Sequence, residues 1–204
     1  MDLAELANSL SHGLGAVLSV GAGWFLWEHA AGQGLGMRIC CLLFATTMTT
    51  VYVCSTLSHA VHEPRLRSRF RAWDQGTIYL LIAGTYSPFI WVASPPGWTG
   101  IVMSGVWLAA AWGFNLKVFA KYRIESSSTV TYVLLGWIPA MVLFARTPTV
   151  CVLWMVAGGL SYTFGILFLL RSHQTWYMHS LWHFAVIAGS ACHYTAIWNL
   201  ISKA

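Results

Sequence analysis

The chain has 204 residues, of which 57% are hydrophobic and only 8% charged, with a formal net charge of +5. Soluble domains carry roughly 25% charged residues, so this composition excludes a fully hydrated surface and puts the chain in lipid. The positive charge does not point to nucleic acid, because the basic residues sit in short connections between apolar runs, where they set membrane orientation.

The 12 tryptophans suit the two interfacial belts of a bilayer, where an amphipathic ring keeps one end wet. A single membrane domain is expected over 1–204, since no polar stretch is long enough to fold alone. Cys40, Cys41, Cys54, Cys151 and Cys192 are odd in number and show no CxxC spacing, which argues against a disulfide framework and a thiolate zinc knuckle. They read as small buried hydrophobes. The start, Met1-Asp2-Leu3-Ala4-Glu5, has no basic n-region, so no cleavable signal peptide is expected.

In chain order, the apolar segments are 12–30, 38–60, 74–93, 98–119, 127–145, 149–170 and 178–200. Each is long enough to cross about 30 Å of hydrocarbon as a helix. The fold expected is an all-α bundle of seven transmembrane helices. Gly32-Gln33-Gly34, Ser94-Pro95-Pro96-Gly97 and Thr147-Pro148 punctuate it, and such short connections make consecutive helices antiparallel neighbours. Pro88 and Pro139 are expected to kink their helices or lie near the ends.

Arg65, Arg67, Arg69, Arg71, Lys117, Lys121, Arg123 and Arg171 fall on one side of this topology, and Arg38, Arg146 and Lys203 on the other. The bias predicts a cytoplasmic N-terminus and an outside C-terminus. His12, His59, Asp74, His179 and His183 then all come to the cytoplasmic leaflet, at the ends of four different segments. Ionisable groups at membrane depth are costly, and they usually face the bundle interior with a partner.

His179 and His183 are four residues apart and so share one helix face, as do Ser55 and His59. Three imidazoles converging from two helices suit zinc, which takes neutral histidine nitrogens and keeps a position for water in catalytic sites. His59, His179 and His183 are therefore the candidate ligands. Asp74 is the candidate base or a further ligand, and Ser55 a group that orients water.

Plainer readings stand beside these. The histidines also fit interfacial packing groups, Asp74 an N-cap or a local partner of the arginines, and Ser55 a hydroxyl bonded one turn back. Asn8 and His12, with Glu5, have helical spacing and fit an interfacial helix supporting the site. His193 lies roughly 15 Å along the helix from His183, too far for the same ligand set, so a polar packing role is expected. His29, His62 and His173 fall at segment ends or in the basic loop.

Four blocks carry a family resemblance: Ala7-Asn8-Ser9-Leu10-Ser11-His12-Gly13-Leu14-Gly15; Ser55-Thr56-Leu57-Ser58-His59; Trp73-Asp74 with Ile78 through Pro88; and His179-Ser180-Leu181-Trp182-His183 with Gly189, Ser190 and His193. The chain resembles the hemolysin III family, the bacterial branch of the progestin and adipoQ receptor proteins. That resemblance implies a seven-helix bundle and a zinc held by His59, His179 and His183, with Ser55 and Asp74 nearby. Ser58, Gln75 and Ser180 stand where the family commonly has tyrosine, histidine and glutamate.

The function expected is a zinc-dependent hydrolase of a membrane-lipid amide or ester in a bacterial inner membrane, by analogy with the metal constellation of alkaline ceramidases. Its ligand would be a lipid amide or fatty acyl chain. The alternatives are a receptor-like or membrane-homeostasis protein with structural zinc and, following the family's name, a pore-forming hemolysin. The sequence offers no polar stripe along several helices for such a pore.

Overall fold

The computed structural model describes residues 3–119 and 125–203, and side chains there except those of 125–128. Lys121 and Arg123, counted for orientation, lie outside the described residues, as do Met1 and Asp2. The described residues form seven α-helices: α1 (Leu3–His29), α2 (Gly34–Ala60), α3 (Pro64–Ala93), α4 (Thr99–Val118), α5 (Glu125–Phe144), α6 (Thr149–Leu170) and α7 (Met178–Lys203). One short 3-10 turn, Ala30–Gln33, joins α1 to α2.

A helix satisfies its interior backbone groups within its own segment, without water, and the described residues are helical nearly throughout. Thr47, Thr49, Thr50 and Thr56 on α2 each bond the carbonyl one turn back, so their hydroxyls need no water either. Five stretches are long and apolar enough to cross a membrane, the first of them the run of α1 and α2 from Leu3 to Ala60. Within α5, Thr129–Phe144 is a shorter apolar helix. Val17, Leu108 and Trp112 are each at least 70% exposed, on three different turns of an outer surface that water would not tolerate. The protein is an integral membrane protein.

The helices start and stop differently from the apolar pattern in two places. α1 begins at Leu3 rather than near residue 12, because Glu5, Asn8 and Ser9 find partners on neighbouring helices or are buried there. α3 begins at Pro64, ten residues before the apolar run. Glu63 caps it, its carboxylate accepting from the Arg65 and Leu66 backbone N–H groups at 3.1 and 2.6 Å, with Pro64 at the first helical position. Arg65, Arg67, Arg69 and Arg71 are therefore helical rather than in a loop, and Asp74 lies inside the helix, not at its N-cap. Pro88 and Pro139 are both inside their helices.

Side-chain contacts give the directions. Glu5 meets His59 at one end of the α1–α2 pair, and Ser19 bonds Thr49 at 2.8 Å further along, so the two helices run antiparallel. Ser58 meets Asp74 while Gly84 packs on Thr47, which makes α2 and α3 antiparallel too. α6 and α7 pair antiparallel, Gly158 packing on His193 and Gly165 on Trp182, with the Tyr162 and Ser190 hydroxyls bonded between them. α1 and α7 run parallel, joined by Asn8 with Ser180 near their starts and His29 with Ser202 near their ends. The start of α1, the end of α2 and the start of α7 thus share one end of the bundle, and they carry the candidate site.

Phe44, Phe89 and Leu26 are fully buried in the core between α1, α2 and α3. All five cysteines are free thiols, four of them buried, as expected of small apolar fillers.

Candidate metal centre

His59 occupies the last turn of α2, and His179 and His183 lie on successive turns at the start of α7. One ring nitrogen from each lies within 4.8 Å of the others, so the three form a group able to hold a metal ion. The Nε2 atoms of His59 and His179 are 3.2 Å apart. Two nitrogens bound to a tetrahedral zinc at 2.0–2.1 Å would stand about 3.3 Å apart, so this pair fits that spacing closely.

The other side of each ring decides whether those nitrogens carry lone pairs. His59 Nδ1 is 2.6 Å from Glu5 Oε2. The Arg67 guanidinium donates to the other oxygen of Glu5, Oε1, and Arg71 lies 4.0 Å from that same oxygen. A carboxylate only accepts, so this contact is complete when His59 carries a proton on Nδ1, an arrangement that leaves Nε2 its lone pair. His183 Nδ1 lies 3.1 Å from the Asn8 carbonyl and 2.9 Å from Ser11 Oγ, and that hydroxyl itself donates to the same carbonyl. The carbonyl likewise fixes the proton on Nδ1 and frees Nε2 of His183.

α1 therefore supports two of the three histidines from behind. Asn8 adds a tie to α7, its side-chain oxygen accepting from Ser180 Oγ at 2.7 Å. His12 sits against the face of His183, with ring centroids 3.7 Å apart and an interplanar angle of 9°. Among the described residues neither buried His12 nitrogen has a hydrogen-bond partner, and the ring tilts against Tyr52.

Asp74 is not in the three-histidine group. Its carboxyl accepts from Ser58 Oγ at 3.4 Å, and the Ser55 hydroxyl lies beside it, fully buried and outside hydrogen-bond geometry. The bond from Ser55 to the preceding turn is not made. His193 stands apart from the histidine group, stacked on Tyr162 at 5.5 Å. His29, at the far end, stacks on Trp198 at 3.8 Å and bonds Ser202.

A cavity of about 110 Å³ starts beside the centre, where His12 and Asp74 line it, and reaches His193. Most of its wall is apolar, including Val51, Leu81, Ile82, Val133, Met155 and Ile166.

Comparison with known proteins settles the kinship. The family model described as "Haemolysin-III related" matches residues 3–194. The chain belongs to the haemolysin-III family. Hemolysin-3 of Bacillus cereus is 34% identical to it over 92% of this chain and 87% of that protein. The Hemolysin-3 homolog of Bacillus subtilis (strain 168) is 32% identical over 92% of this chain and 89% of its own length. A human protein of the progestin and adipoQ receptor type, monocyte to macrophage differentiation factor, is 27% identical over 87% of the chain and 73% of that protein. No solved structure matches the chain.

In this haemolysin-III family member, the sequence brings out the three ligand candidates but not Ser11 or Arg67 behind them. A signal was present: Glu5, Asn8 and Ser11 recur every three residues and so line one face of α1.

Proposed function

We propose that the protein is a zinc-dependent hydrolase of a membrane-lipid amide or ester. The observation that carries this reading is the three-histidine group standing next to an apolar cavity that Asp74 also lines. On this reading all seven helices span the membrane, with the N-terminus and the metal centre on the cytoplasmic side of a bacterial inner membrane. Arg65, Arg67, Arg69, Arg71 and Arg171 cluster at that end, in keeping with the positive-inside rule.

Neutral imidazoles from His59, His179 and His183 suit zinc, although the same donors also accept copper, nickel or iron. Zinc held there supplies a Lewis acid that polarises a carbonyl and acidifies water. Asp74 takes the proton from attacking water and returns it to the leaving amine or alcohol. Ser55 donates its hydrogen to the developing oxyanion or places the water. The cavity holds the acyl chain, and its apolar wall excludes bulk water from the reacting carbonyl.

One observation favours the second reading, a receptor-like protein with structural zinc: α1 braces His59 and His183 from behind, as a closed site requires. A pore-forming role suits the cavity poorly, since its wall is mostly apolar rather than a polar channel.

The deciding experiment measures zinc per chain by elemental mass spectrometry in protein purified in mild detergent without chelators. It is followed by hydrolysis of N-acyl and O-acyl lipids in mixed micelles. About one zinc per chain, lost in His59→Ala, His179→Ala and His183→Ala, with turnover lost in Asp74→Asn, supports the hydrolase. Zinc without turnover on either lipid class moves the protein to the structural-zinc reading. Wild type without metal removes both.

A further inference from the structure

α1 carries no metal-ligand candidate, yet its first turn reaches the centre more directly than Asp74 or Ser55 do. Glu5 Oε2 lies 2.6 Å from His59 Nδ1, while Oε1 of the same carboxylate takes the Arg67 guanidinium and faces Arg71 at 4.0 Å. Arg67 in turn donates from Nε to the Ser58 carbonyl at 3.3 Å, one residue before His59. Glu5 thus bridges three helices through one side chain, and one of its two oxygens is committed to a ring whose other nitrogen points at His179.

We propose that Glu5 is a positioning residue that holds His59 as the Nδ1–H tautomer and so presents Nε2 to the metal.

The physical case rests on what an imidazole does when left alone. Neutral histidine carries its proton on either nitrogen, and a ligand atom must carry none. With Nδ1–H held by a carboxylate, the lone pair is committed to Nε2 before any metal arrives. The hydrogen bond also fixes rotation about the ring's bond to Cβ, and the negative charge makes Nε2 a stronger donor. His183 gets the same service from a backbone carbonyl, which no side-chain substitution removes. Glu5 is therefore the point at which this outer layer can be broken by a single substitution. Arg67 tunes it: by sharing the carboxylate, the guanidinium limits how far Glu5 draws the Nδ1 proton.

This inference rests on the metal reading above for its consequence, but its first readout needs no metal. Nitrogen-15 histidine spectra of the full-length, metal-free protein in detergent report the tautomer of His59, which is assigned by its loss in His59→Asn. Titration with zinc and cobalt(II) against a chromophoric chelator then gives metal affinity, and cobalt absorption reports the coordination geometry. Glu5→Ala is expected to release the His59 tautomer and to weaken metal binding by about 10–100-fold. Glu5→Gln keeps an acceptor oxygen but no charge, so the tautomer is retained and affinity falls by a smaller factor. Arg67→Ala leaves the tautomer unchanged.

A His59 tautomer unchanged in Glu5→Ala overturns the proposal. So does wild-type metal affinity in that variant alongside a lower melting point of the metal-free protein, which would make Glu5 a tie between helices only. Where Glu5→Ala fails to fold, Glu5→Gln decides, and wild-type affinity in it counts against the proposal. Wild type that binds neither zinc nor cobalt defeats the metal reading of the previous subsection. The spectra then still judge whether Glu5 sets the His59 tautomer.

Discussion

The rings of His12 and His183 lie face to face, 3.7 Å between centroids and 9° from parallel, at the inner edge of the three-histidine group. Among the described residues neither His12 nitrogen has a hydrogen-bond partner, so its contribution here is shape: it backs His183 and packs between that ring and Tyr52.

It follows that His12→Phe keeps most of the stack and retains metal at wild-type stoichiometry. His12→Ala opens a void behind a ligand and is expected to destabilise the fold by about 2–5 kcal/mol, the range for large-to-small core changes. Denaturant titration in detergent with metal analysis separates the two variants. Metal lost in His12→Phe would show that the imidazole itself, and not its face, is needed.

Asp74 lies outside the histidine group but lines the cavity beside it. Asp74→Asn should therefore leave zinc stoichiometry unchanged while lowering kcat by about 10²–10⁴-fold, the usual contribution of a general base. Loss of zinc in this variant would recast Asp74 as a ligand.

Filling the cavity tests the acyl-chain site separately from the metal. Val133 lines the cavity wall on α5, a helix that carries none of the ligand histidines. Val133→Trp is expected to raise KM for long-chain lipid substrates strongly and for short-chain ones little, with zinc content unaffected. Equal effects on both chain lengths would argue that the chain binds elsewhere.

Metal should also stabilise the bundle, since its ligands come from two helices that meet only when folded. Free zinc at 100 times its Kd is expected to add about 2.7 kcal/mol to stability, and a chelator to remove it. Melting curves in detergent with and without chelator measure this, with His179→Ala as the variant that should show no difference.

Close helix contact makes a prediction independent of the site. A side chain at Gly84 would meet Thr47 and approach the Leu43 carbonyl to 3.0 Å, backbone that cannot give way. Gly84→Val is expected to cost about 1–3 kcal/mol by overpacking α2 against α3, read in the same denaturant titration. An unchanged midpoint would mean that the two helices separate at little cost.

The sequence by itself determined that the chain is helical and membrane-embedded, because too few charges and long apolar runs leave lipid as the only compatible solvent. It also paired His179 with His183 and Ser55 with His59, since helical geometry puts residues four apart on one face. The starts of α1 and α3 were less legible: apolar runs mark the part of a helix in lipid, whereas Glu5 and the Arg65–Arg71 stretch are helical because of a cap and of partners on other helices. Only the tertiary structure decided that His59 meets the α7 pair, that Asp74 lies beside Ser58 without joining the histidine group, and that His193 stacks on Tyr162 instead. The same holds for the contact of His59 with the Glu5 carboxylate, 54 residues away in sequence and 2.6 Å away in space. Periodicity places residues on a face of their own helix, but which faces meet is fixed by how the helices pack.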